Sequence, residues 1–181
     1  MTRLIPKDRS SIQVAAICVL EQEFSAMATA LDMDFDECPG ERLGKLPNDT
    51  NSYTPGQIGN HDVVIVLLPY TRIEPAIAAT ASTLLSYPQI KVPFVVGVCG
   101  SALKDQEGDD IILGDVIIST YVFHLSYARI VSGGTIEPYK DVAATLGRAP
   151  KAISSYLLKC QSTYKIQKIQ EKFYKYVNAL L

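Results

Sequence analysis

Apolar positions in this chain follow two rhythms. Runs of consecutive β-branched and aliphatic residues over 12–20, 62–69 and 92–98 read as strands covered on both faces, as in a sheet sandwiched between helices. A stretch at 52–58 is separated from 62–69 by Gly59-Asn60, whose tolerance of positive φ predicts a hairpin with His61 in or beside the turn. A further strand is predicted over 113–121. Between and after these runs, 22–32, 74–87 and 150–178 carry helical spacing, and Pro75 falls in a first turn, where its missing N–H leaves no bond unmade. The second of these helices is small and apolar on almost every side, so close burial against the sheet is expected. Strands alternating with helices place the chain in the α/β class. The polar residues 1–11 and the turn-rich stretch 36–52 are predicted to be flexible, with a globular domain over 12–149 and a helical tail over 150–181.

Chemistry gathers at the strand ends. The run Phe94-Val-Val-Gly-Val-Cys-Gly100 breaks from strand into a glycine turn, bringing bare backbone N–H groups to the sheet edge, where a small anionic or polyhydroxylated ligand can approach. The strand at 12–20 runs into Glu21-Gln-Glu23 and so ends in a carboxylate. A desolvated carboxyl group there can hold a raised pKa and act as a general acid or base. The alternative is that Glu23 steadies the N-terminus of its own helix, as acidic first-turn residues do. Arg72, in Leu68-Pro-Tyr-Thr-Arg72, follows one strand and precedes a helix; it either reaches a ligand at the same edge or is a solvated loop arginine.

Three segments, in order, are similar to the nucleoside phosphorylase and nucleosidase superfamily, whose members cleave the N-glycosidic bond of purine nucleosides, methylthioadenosine or adenosylhomocysteine. They are Ile17-Cys-Val-Leu-Glu-Gln-Glu-Phe-Ser-Ala26, Val96-Gly-Val-Cys-Gly100 and Leu113-Gly-Asp-Val-Ile-Ile-Ser119, and the hairpin at 48–66 resembles that of fungal members. The resemblance covers about residues 12 to 120. It implies a three-layer fold with a central mixed β-sheet flanked by helices, incomplete at the C-terminal side, because the Met-Glu motif and the Ser-Asp pair that grip ribose and purine have no counterpart after Thr120. It also implies Glu23 as the catalytic residue, with Gly97, Val98, Cys99, Gly100 and Arg72 binding substrate. Where some phosphorylases carry an arginine before the first glycine and a serine after it, this chain has Val95 and Val98, so water is favoured over phosphate as acceptor.

The resemblance leaves three functions open: a purine-nucleoside hydrolase, a catalytically inactive nucleoside-binding or signalling module, and a fragment that needs a partner chain. By the same resemblance, the expected partners are a nucleoside, phosphate as a second acceptor and further copies of the chain. No cofactor is expected. Asp105, Glu107, Asp109 and Asp110 lack the ligand spacing of a calcium loop, so no metal is expected either. His124 is read as a packed or exposed histidine. Cys99 is read as a small buried hydrophobe, since no basic neighbour in sequence would activate it.

Composition changes the picture in two places. The chain is 48% hydrophobic and 20% charged, without tryptophan, a signal-peptide pattern or an apolar run of membrane-spanning length. Cys18, Cys38, Cys99 and Cys160 form no paired motif, and reduced thiols in cytoplasm or nucleus fit them best. The net charge of −2 conceals an asymmetry: six lysines against one glutamate give +5 over 151–181, which leaves −7 on the rest. The tail therefore reads as a basic amphipathic helix, of the kind that docks on acidic membranes, nucleic acid or partner grooves, or packs on its own domain with its lysines in water.

Overall fold

A computed structural model describes residues 6, 8–38, 43–100, 110–119, 128–134, 136–138 and 150–180. The chain divides into two compact units, Met1–Ala102 and Leu103–Leu181.

The first unit is a mixed sheet between two helices. Its elements are β1 (Val14–Cys18), α1 (Glu21–Thr29), β2 (Met33–Asp34), β3 (Ser52–Ile58), β4 (His61–Leu67), α2 (Ile73–Ser86) and β5 (Val92–Val95). The five strands lie in the order β2-β3-β4-β1-β5. β1 is parallel to both β4 and β5, while β2, β3 and β4 form an antiparallel meander. This confirms the α/β class and the mixed sheet.

Side-chain alternation along β1 explains the layering. Ala16 and Cys18 point to the face where Ile65 meets Phe24, Met27 and Ala28 of α1. Ile17 points to the other face and packs with Val66, Leu68 and Ala79 of α2. Ile12, Ala15, Val64 and Tyr87 extend that second layer. The small Ala16 on this interior strand lets α1 approach closely, and the strand is buried from Ala15 onward.

Local chemistry sets the turns. Gly59 has φ +61° in the predicted hairpin, and its N–H donates to Asp32 Oδ2 at 2.6 Å. The two-residue strand β2 went unpredicted because its partner supplies it: Met33 pairs with Gln57 and Asp34 with Gly56. A Cβ on Gly56 would stand 2.7 Å from the Met33 carbonyl oxygen, so that glycine serves the close approach of β2.

One expectation about packing is corrected here. α2 does not bury all its sides. Ala79, Thr83 and Ser86 face inward, while Ile73, Ile77, Leu84 and Leu85 are exposed. Within the polar N-terminal stretch, Arg9–Ser11 form a 3₁₀ turn capped by Asp8, which accepts from Ser10. The turn-rich stretch before β3 is tied down by a hydrogen-bond knot described below.

The second unit contains β6 (Ala128–Ile130) and β7 (Ile136–Pro138), an antiparallel pair, then α3 (Lys151–Cys160) and α4 (Thr163–Leu180). The predicted strand at 113–121 is not a strand over its described residues, 113–119. Gly114 takes φ +103° in a turn where Ile112 N–H donates to Asp115 Oδ2 at 2.9 Å; beyond it the β-branched run has no ladder partner among the described residues. The predicted continuous helix over 150–178 is two helices. Ser162 breaks it by capping the second: its carbonyl accepts from Lys165 at 2.9 Å and Ile166 at 3.0 Å, and its Oγ from Lys165 N–H at 3.4 Å.

Candidate functional site

The three parallel strands end together. Leu68 N–H donates to Cys18 O at 2.8 Å and Val96 N–H to Ile17 O at 2.9 Å, so the ladder runs just past each assigned strand end. The segments leading to Glu23, Arg72 and Gly97 therefore leave from one edge of the sheet, its carboxyl edge, where open α/β folds hold ligands.

Glu23 is the centre of this edge. It is the third residue of α1 and only 8% exposed. Its Oε2 accepts from the N–H groups of Val19 and Leu20, each at 2.9 Å, and its Oε1 accepts from Val98 N–H at 2.8 Å. The Leu20 contact is half of a capping box; the reciprocal half is missing because a leucine side chain has no acceptor. The Val98 contact reaches across from the strand-β5 segment, so one carboxylate ties together the end of β1, the start of α1 and the turn after β5.

These bonds set the charge state. Donation from Leu20, then Val19, then Val98 holds the Glu23 carboxyl below its ordinary pKa and outweighs burial, which acts in the opposite direction. The raised pKa expected from desolvation is therefore corrected: Glu23 is an ionised acceptor at neutral pH, and it stabilises its helix start as the alternative reading held. Its charge also acts on Cys18, whose thiol is pushed up by burial first and by Glu23 second.

Gly97 is bare for a reason the sequence did not reveal. A Cβ there would lie 2.6 Å from Glu23 Oε1, 3.0 Å from Cδ and 3.3 Å from Oε2. The close approach that requires glycine is made by the protein's own carboxylate. Gly100 has no such constraint, since a Cβ would meet no described atom within 4 Å. Val98 is 82% exposed although its N–H is engaged. Cys99 is exposed, which corrects the reading of it as a buried hydrophobe. Arg72 is the extended, exposed residue that begins α2, and its side chain makes no capping bond. Glu23, Gly97 and Val98 are thus in direct contact, while Arg72 shares their sheet edge by topology. Asp105, Glu107, Asp109 and His124 lie outside the described residues, and Asp110 is exposed. Among the described residues, no group of three or more His, Cys, Asp or Glu side chains is placed to hold a metal ion.

A second polar cluster escaped the sequence reading. Asp49 Oδ2 accepts from Tyr53 OH at 2.6 Å and from Ser86 Oγ, and its Oδ1 accepts from Asn51 N–H at 2.9 Å. Asn51 Nδ2 donates to Ala79 O at 2.8 Å and to Tyr53 OH at 3.0 Å; Leu46 N–H donates to Ser86 Oγ at 3.1 Å. This knot fastens the 43–53 segment to α2. Burial pushes the Asp49 carboxyl up, but the Ser86, Tyr53 and Asn51 bonds and the Lys45 charge together bring it below its ordinary value. Burial, then the bond to Asp49, pushes Tyr53 up. Beside the knot lies an open depression of about 260 Å³, lined by Tyr53, Tyr87, Pro55 and Lys45 among others. The run Asn48-Asp-Thr-Asn-Ser52 carried the signal as turn chemistry, but its long-range partner Ser86 did not.

No known family model matches the chain, and no solved structure matches it. A nucleotide-binding leucine-rich repeat (NLR)-like protein of Hyaloscypha variabilis is 31% identical to it over 116 residues. The matched stretch covers 64% of this chain and 11% of that relative.

Proposed function

We propose that this chain is a nucleoside phosphorylase-like binding module that holds a purine-type nucleoside at the carboxyl edge of its sheet without cleaving it. The observation that carries this reading is the lock on Glu23. A carboxylate has about four lone-pair sites, and three backbone N–H groups already occupy this one. One site on Oε1 remains, enough to accept a hydroxyl of a polyhydroxylated ligand. A carboxylate held below its ordinary pKa by those bonds is a weakened base toward an attacking water. The exposed backbone N–H groups of Cys99 and Gly100 and the Arg72 side chain supply further donors at the same edge. The NLR-like relative supports a module reading in a limited way, because its matched stretch is a small part of a much longer protein described as nucleotide-binding.

Hydrolysis is the second reading, favoured by the resemblance of Glu23 to the family's catalytic glutamate. One experiment separates the two: thermal-shift and calorimetric titration with adenosine, inosine, methylthioadenosine and adenosylhomocysteine, with and without phosphate, followed by chromatography for free base. Saturable stabilisation without base release, weakened by Arg72→Ala, is the expected result. Base release abolished by Glu23→Gln in a folded variant would replace binding with catalysis. Absence of any stabilisation by all four nucleosides would refute both.

A further inference from the structure

The helix α4 presents a surface that the nucleoside reading does not use. Ile166, Ile169 and Phe173 recur at i, i+3 and i+7, so they form one apolar column, and they are 43%, 51% and 63% exposed. Lys165, Lys168, Lys172 and Lys175 recur at i, i+3, i+7 and i+10, one position before each apolar residue, and form a cationic column beside it. Glu171 is the only acidic residue of the helix, and it is engaged by Lys168 at 2.9 Å. No described helix is long and apolar enough to cross a membrane.

We propose that α4 docks in the plane of an anionic lipid surface, with its apolar column inserted at the headgroup boundary and its lysine column against the lipid charges. Two observations favour lipid over other anionic partners. Nucleic acid would engage the lysines and leave the isoleucines and phenylalanine in water. All six cations of 151–181 are lysine and none is arginine, which suits diffuse attraction to a charged surface rather than bidentate recognition of one phosphate or carboxylate. Each lysine brought to such a surface contributes about fivefold in affinity, and the inserted apolar side chains supply the remainder.

The test is flotation of the full chain with vesicles of phosphatidylcholine alone or with about a third phosphatidylserine, at low salt and at about 0.5 M salt, where the screening length falls to roughly 4 Å. Binding to anionic vesicles alone, lost at high salt, is expected. The double change Lys168→Gln/Lys172→Gln should weaken it about 25-fold, and Phe173→Ser about tenfold. Hydrogen exchange on the unmodified protein gives a measure independent of any variant's folding: vesicles should protect 163–180. Equal binding to neutral vesicles, or none to either, overturns the proposal. Binding insensitive to Phe173→Ser reduces it to charge attraction and overturns insertion. Retention on polyglutamate without vesicle binding would replace lipid with an acidic polypeptide.

Discussion

Adding one methyl group at Gly97 should damage the molecule through Glu23, and only through Glu23. The Cβ of Gly97→Ala would meet Oε1 at 2.6 Å, a separation that real Cβ atoms do not tolerate. Elsewhere a carboxylate at the end of a flexible side chain would swing away. Here swinging away strands the N–H groups of Val98, Val19 and Leu20, which it accepts at 2.8 to 2.9 Å. Hydrogen bonds to a charged group contribute about 1.5–3 kcal/mol each, and a buried donor left unpaired costs about 1–3 kcal/mol. Losing the Val98 bond alone sets the expected cost near 2 kcal/mol, and losing all three brings it to about 4.5 kcal/mol or more. The assay is urea unfolding by far-UV circular dichroism in a double-mutant cycle. In a Glu23→Ala background the clash disappears, so the same Gly97→Ala change should cost less than about 0.5 kcal/mol, leaving a coupling of at least roughly 1.5 kcal/mol. An equal cost in both backgrounds would refute the contact, and a cost below about 0.5 kcal/mol in the native background would refute the lock on the carboxylate.

Acid should loosen the same junction. Glu23 and Asp49 both have folded pKa values below their unfolded ones, so their contribution is complete above the ordinary carboxylate range near 4 and is lost as pH falls through the folded values. Stability measured between about pH 6 and pH 2 should decline below roughly pH 4.5, and Glu23→Gln should flatten the decline; an unchanged slope in that variant would contradict the assignment. Asp49→Asn should cost about 1–3 kcal/mol and open the 43–52 segment to limited proteolysis, because an amide cannot accept from Ser86, Tyr53 and the Asn51 N–H together. A segment that stays resistant would show the knot to be incidental. Maleimide at neutral pH should label Cys99 quickly and Cys18, which is 0% exposed with a raised pKa, only on unfolding; similar rates would place Cys18 wrongly.

What was legible in the sequence was whatever one segment decides by itself. The runs at 12–20 and 62–69, the Gly59-Asn60 turn and the start of α2 carry their own periodicity and turn chemistry, and the structure has them within two or three residues. β2 was not legible because two residues become a strand only when β3 offers an edge. The run at 113–119 failed in the opposite way: β-branched composition is a preference, and a strand needs a neighbour. Ser162 was visible but was read as part of a helix, since a serine at an N-cap and a serine in mid-helix look alike in a spacing pattern. At the site, Glu23 and Gly97 were both singled out, but as separate ligand contacts. The bond that joins them, from Val98 N–H to Glu23, spans 75 residues of chain and could not be read from either motif alone.

That contact also bears on how a site of this kind divides binding from chemistry. A general base is most effective when its pKa lies near the working pH, and each unit below that reduces its driving force for proton abstraction. Three donated N–H bonds move Glu23 away from that range, and the same bonds fix the carboxylate so that it cannot follow a proton as charge develops. Fixing it, however, holds the turn after β5 at a set distance from the start of α1. On the proposed reading, the bonds that would weaken Glu23 as a general base also fix the edge, and a fixed edge favours recognition because little ordering is left to be done when a ligand arrives. A substitution that frees Glu23 from Val98 while keeping the fold would therefore be expected to raise its pKa and loosen ligand binding together. A variant that gained affinity while its carboxylate was released would break this link and return the site to catalysis.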